Sequence, residues 1–197
     1  MKEFWEERYR EAQFAYGTEP NDFLRSIAIG EGLKVLCLAE GEGRNGVYLA
    51  GLGNDVTCID YSEEGLKKTR QLASQNGVEV SCICADLGEM NLAENSWDVV
   101  IGIFAHFPSR VKQHIWPQIY ASLKPGGMLI LEVYDQEQLR FGTGGPQQPD
   151  LLYSKEELEQ LLGNQFDQLH IEKVYREVHE GTYHNGASAT LQVLATK

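Results

Sequence analysis

Apolar residues gather in short runs, with stretches of helical period between them. Lys34–Ala39, Val56–Ile59, Val78–Cys84, Trp97–Phe104 and Met128–Val133 are four to eight residues long and largely apolar. Runs of that kind suit strands covered on both faces, as in a parallel sheet. Between the last two, Val111, Ile115, Ile119 and Leu123 recur every fourth residue, which places them on one helical face. Pro117 lies inside that stretch and predicts a kink or a break. Ser62 is a candidate N-cap followed by Glu63 and Glu64, and Asn76-Gly77 is a stop signal. Ser154-Lys155-Glu156-Glu157 has the form of a capping box and opens a helix carrying Leu158, Leu161 and Leu162.

The flanks complete the pattern. An amphipathic segment covers Glu3–Phe14, a turn follows at Tyr16–Pro20, and a short helix is predicted over Asn21–Ala28. The tail Phe166–Thr196 reads as two strands joined through Glu180–Gly186, which predicts an antiparallel hairpin. Five strand–helix units ahead of it predict an α/β fold, an open sheet with helices on both faces. The whole chain, 1–197, reads as one domain, with 1–30 a helical cap segment and 31–197 the sheet core. Ligands of such sheets bind beyond the carboxyl ends of the strands. Asp60, Asp86 and Phe104-Ala105-His106 stand at those ends.

Charge narrows the partners. The chain carries 17 basic against 29 acidic residues, a net charge of -12. That field repels phosphate backbones and anionic lipid surfaces. The expected partner is therefore a small molecule, with neither nucleic acid nor membrane. No signal-like or membrane-length apolar run is visible, so a cytoplasmic location is expected. Cys37, Cys58, Cys82 and Cys84 all sit in strand-like runs and are read as reduced, small core residues. His170, His179 and His184, with Glu177 and Glu180, are not expected to converge on a metal. Glu177 or His184 is read instead as closing over a ligand.

Gly41-Glu42-Gly43-Arg44-Asn45-Gly46 fits G-x-G-x-x-G, follows a strand and opens a helix. Glycines there let a ligand approach the backbone. Asp60 lies 17 residues beyond Gly43, placed to accept both hydroxyls of a ribose. A nicotinamide dinucleotide and S-adenosylmethionine (SAM) share that ribose. Glu40 and Glu42 favour SAM, whose sulfonium and ammonium are cationic, over an anionic pyrophosphate. Asp86 is placed to accept the adenine amino group. A nicotinamide-dependent oxidoreductase and a non-catalytic SAM-binding module are the alternatives.

Val35–Asn45 resembles the first motif of class I SAM-dependent methyltransferases, and Leu123-Lys124-Pro125-Gly126-Gly127 resembles their turn before the fifth strand. The resemblance covers Lys34–Val133. The flanks Phe4–Leu24 and Gly142–Tyr153 look closer to the tellurite-resistance and thiopurine methyltransferase-like branch. The family implies a Rossmann-like, mostly parallel, seven-stranded sheet in the order 3-2-1-4-5-7-6, the last strand antiparallel. It implies that Gly41 and Gly43 meet the cofactor, Asp60 its ribose and Asp86 its adenine, with Tyr61 and Leu87 beside it. Phe104 and Tyr16 are assigned to the same pocket. Cys37 stands where the family often carries an acid and Ala39 where it carries a glycine, so Glu40 is expected to take part of the acidic role.

Methyl transfer asks the protein mainly to position and desolvate the acceptor. A soft acceptor, a thiol or a metalloid oxyanion, needs no strong base, whereas an amine or alcohol does. His106 is the candidate catalytic contact, since an unperturbed imidazole near pKa 6.5 suits base work. Tyr134 is a further candidate for the pocket wall, and the Gly142–Pro149 loop for a lid.

Overall fold

The computed structural model describes residues 2–197. Six helices and seven strands follow in the order α1 (Lys2–Tyr9), α2 (Asp22–Ser26), β1 (Lys34–Leu38), α3 (Arg44–Gly51), β2 (Asp55–Asp60), α4 (Glu63–Gln75), β3 (Ser81–Cys84), β4 (Trp97–Ile103), α5 (Ser109–Ser122), β5 (Leu123–Tyr134), α6 (Lys155–Leu162), β6 (Gln168–Glu180) and β7 (His184–Thr196). Two 3₁₀ turns, Gln136–Arg140 and Pro149–Leu151, separate β5 from α6.

The strands form one sheet in the order β3-β2-β1-β4-β5-β7-β6. The first five are parallel, and β7 runs antiparallel between β5 and β6. Alternation along β1 shows why the runs are apolar throughout. Leu36 and Leu38 join the core that includes Ile115, Trp116, Ile119, Leu158 and Leu162 from α5 and α6. Val35 and Cys37 point the other way, into the core with Leu24, Leu49 and Leu66 from α2, α3 and α4. Both faces of a central strand are thus dry. Leu24 shares that second core with Val35, so α2 is part of the packed body.

The cap signals hold. Ser62 Oγ accepts the Gly65 amide at 3.2 Å, and Ser154 Oγ accepts that of Glu157 at 3.1 Å. Other expectations need correction. The first helix stops at Tyr9 rather than near Phe14. The helix α5 runs unbroken past Pro117. Pro117 is on the exposed side, while Ile115, Trp116 and Ile119 are essentially fully buried. At about 2 kcal/mol each, those three burials outweigh the roughly 3 kcal/mol cost of the proline. Lys124–Gly127 is absorbed into β5 as a bulge: Trp97 pairs with Leu123, but Val99 pairs with Met128. Lys124 Nζ holds Asp98 at 2.7 Å across it. Cys37 and Cys58 are buried as expected, but β3 is an edge strand, leaving Cys82 half-buried and Cys84 exposed.

Candidate active site

The carboxyl ends of β1, β2, β3 and β4 open onto a cleft of about 1050 Å³, roofed by α1. At the β1–β2 end the chain folds its carboxylates onto its own backbone. Glu40 Oε1 accepts the amides of Asn45 and Gly46 at 2.9 and 2.8 Å, capping the first turn of α3. Asp60 accepts the Gly41 amide at 2.9 Å through one oxygen and the Ser62 amide at 2.8 Å through the other. Burial pushes Glu40 up to about 7 and Asp60 up to about 6. Both line the cleft. Glu42 also lines it but is committed elsewhere: it pairs with Lys68 at 2.7 Å and accepts the Tyr16 amide at 3.3 Å. The expectation of two free acids beside the ligand is therefore too simple. One is paired, and the other titrates near neutrality.

Gly41 and Gly43 lie behind the wall of the cleft rather than in it. Their φ angles of 62° and 88° favour glycine, and packing demands it. A Cβ on Gly41 would meet the Tyr9 hydroxyl at 2.5 Å, and one on Gly43 would meet Thr69 at 2.6 Å. Ala39 holds φ 49° without being glycine. Tyr61, Asp86 and Leu87 continue the wall, as expected. One Asp86 oxygen accepts the Gly88 amide at 2.8 Å, so this residue also braces a turn.

The other end of the cleft is aromatic. Phe104 (φ 52°) follows β4. Its ring lies 4.6 Å from those of both Tyr134 and His184, and Tyr16 lies 4.6 Å from His184. His106 stacks on Tyr134 with centroids 5.5 Å apart and planes within 10°. Phe104, His106, His184 and Tyr16 all line the cleft. His106 Nδ1 meets the Leu151 carbonyl at 2.9 Å. A carbonyl only accepts, so Nδ1 carries the proton and Nε2 a lone pair. Among the described residues, His106 Nε2, the Tyr134 hydroxyl and His184 Nδ1 are buried without a partner. Burial drops His106 to about 4 and holds His184 well below its usual range, helped there by the Arg44 charge. The expectation of His106 as a base near pKa 6.5 is corrected: it is neutral at physiological pH, and a weak base.

Several features of the site were missed in the sequence. From α1, Trp5, Arg8 and Tyr9 reach the cleft, while Glu6 accepts Ser62 Oγ and the amides of Glu63 and Glu64, all within 3.2 Å. Those amides and Ser62 hold Glu6 below the usual carboxylate range despite some burial. Beneath the loop, Arg44 pairs with Glu180, and Arg176 pairs with Glu132 at 2.6 Å and Glu180 at 3.0 Å. Asn21 donates to both glutamates. This buried network ties α2 and the glycine loop to the β6–β7 hairpin. Of the tail residues, His184 joins the cleft, whereas His179 bonds Asn185 and His170 faces Glu172. The Gly142–Pro149 loop is partly stapled down. Thr143 Oγ1 donates to Ala187, Asn185 to Thr143, and Gly145 packs on Tyr134.

Residues 35–127 match the methyltransferase domain. An uncharacterized methyltransferase, YbaJ, of Bacillus subtilis is 34% identical over 112 residues, 56% of this chain and 43% of that protein. A probable SAM-dependent methyltransferase, TehB, of Haemophilus influenzae is 31% identical over 46% of this chain and 31% of its own length. The chain thus spans less than half the length of these curated relatives. Its fold matches, over its full length, that of a structure titled for the conversion of a disulfide bond into a thioacetal group during echinomycin biosynthesis. The TM-score is 0.76 at 17% identity, covering 92% of that chain. No helix among the described residues is long and apolar enough to cross a membrane.

Proposed function

We propose that the chain is a class I SAM-dependent methyltransferase, with SAM as its cofactor, and that it methylates a small molecule held at the aromatic end of the cleft. The donor set suits the cofactor: Asp60 for a ribose diol, Asp86 for an adenine amino group, and Glu40 for the cationic part. When bound, SAM supplies a methyl group already activated toward a nucleophile. The chain's own residues have to place that nucleophile and keep water out.

The observation that carries this reading is the pair of unpartnered ring nitrogens on His106 and His184, both of which line the cleft. Native proteins rarely leave such atoms unpaired, at a cost of about 1–3 kcal/mol each, unless a ligand or water meets them. They gather around Phe104, at the opposite end from Asp60 and Asp86. The weak basicity of His106 favours an acceptor that needs no strong base, a thiol or a metalloid oxyanion.

The test is transfer of a labelled methyl group from SAM to a panel of thiols, metalloid oxyanions and amines, beside calorimetric titration with SAM, its demethylated product and NAD. Product on a soft acceptor is expected. SAM binding with no product on any acceptor would favour a non-catalytic SAM-binding module. Binding of NAD alone would overturn the reading.

A further inference from the structure

Lys112 is a buried lysine that the functional reading has not used. It sits on α5 with its side chain 4% exposed. An enclosed ammonium is costly unless its protons are taken up. Here Nζ donates to the Leu152 carbonyl at 2.7 Å and to Glu157 at 3.0 Å, and lies 3.9 Å from the centre of the Tyr153 ring. These contacts hold residues 151–153 against α5. From the same helix, the Ser109 amide and hydroxyl both donate to Asp150, the amide at 3.1 Å. The next carbonyl along, that of Leu151, meets His106 Nδ1. The ring therefore has no freedom to choose which nitrogen is protonated while that carbonyl stays in place.

We propose that Lys112 is a positioning residue, which fixes His106 with Nδ1 protonated and Nε2 offering a lone pair to the acceptor. This rests on the reading that His106 faces the acceptor. The lysine acts in a second way, because its charge opposes protonation of the imidazole. The other groups around the ring, Tyr134, Tyr153 and the neutral His184, bring no charge. A fixed lone pair accepts a hydrogen bond from a nucleophile that carries its own proton, and Nε2 takes up that proton once alkylation has made it strongly acidic, a transfer even a weak base can accept. The same lone pair repels an oxygen that offers only lone pairs. Of the two soft classes, the site thus selects the protic acceptor over the fully ionised oxyanion.

The tautomer is read directly from long-range ¹H–¹⁵N spectra of ¹⁵N-histidine-labelled protein, without any acceptor. Wild type is expected to show His106 as the Nδ1–H form alone. Lys112→Met, which keeps the bulk, is expected to give a mixture of forms and a raised His106 pKa, with Lys112→Arg restoring the single form. Should Lys112→Met not fold, Lys112→Gln is read in its place. In turnover, Lys112→Met is expected to raise KM for a protic acceptor about tenfold, the worth of one such hydrogen bond, with SAM affinity unchanged. An Nε2–H form in wild type overturns the proposal. So does a folded Lys112 variant that keeps the Nδ1–H form while only its melting temperature falls. If no acceptor is methylated at all, the functional reading fails, but the tautomer result still stands or falls separately.

Discussion

The two ends of the cleft treat their polar groups in opposite ways. At the β1–β2 end, Glu40 and Asp60 are held by amides within their own and neighbouring loops. At the end after β4 and at the start of β7, one buried ring nitrogen on each of His106 and His184 has no protein partner. A carboxylate oxygen has spare lone pairs, so the first end is preorganised and can still receive a ligand's donors. The second end is rigid in its rings and unfinished in its hydrogen bonds. The contrast teaches that, on the proposed reading, the cofactor's half of the cleft is held by backbone turns and the acceptor's half by side chains assembled across the sheet.

The largest effect that would test this division is expected from Asp60→Ala. It removes the acceptor proposed for the ribose and strands the Gly41 and Ser62 amides, so SAM affinity by calorimetry should fall about 100-fold. A loss below about fivefold would break the assignment of that end to the cofactor. His106→Phe keeps the stacking on Tyr134 but removes the lone pair. Turnover on the acceptor should fall about 30-fold, with SAM affinity within about twofold of wild type. An equal loss of SAM binding would erase the distinction between the ends.

A smaller effect is electrostatic. Glu40 and Asp60 have folded pKa values raised to about 7 and about 6. Raised carboxylates stabilise the fold below their unfolded pKa, and that contribution is lost as pH rises through the folded value. The melting temperature of the cofactor-free protein should therefore drop by a few degrees between pH 5 and 8. Glu40→Gln should flatten that slope, and an unchanged slope would deny Glu40 its part. The smallest effect is expected from Ala39→Gly. Relief at φ 49° is set against the greater flexibility of glycine when unfolded, a net gain of about 0.5 kcal/mol by chemical denaturation. A clear loss of stability would mean that the Ala39 methyl group packs usefully.

Which features were readable follows from the distance over which each is built. The caps at Ser62 and Ser154 span three residues, and both were legible. Asp60, Tyr61, Asp86 and Leu87 reach the cleft as expected because they stand at strand ends whose direction the parallel order fixes. The glycine loop was legible as a turn, yet Tyr9 and Thr69 explain its glycines in this structure. The ionisation of Glu40 and His106 was not legible, because burial sets it. Nor were the Leu151 carbonyl, 45 residues from His106, or the Arg44–Glu180 pair, 136 residues apart.

Sequence by itself determined the α/β pattern, the glycine turn and the acids at the strand ends, since apolar periodicity and turn chemistry act between near neighbours. Tertiary structure alone decided that His106 is a neutral imidazole with an unpartnered Nε2 and that His184 joins it in the cleft. Those properties depend on which distant groups desolvate a side chain and which donors reach it. No local pattern in the chain records that.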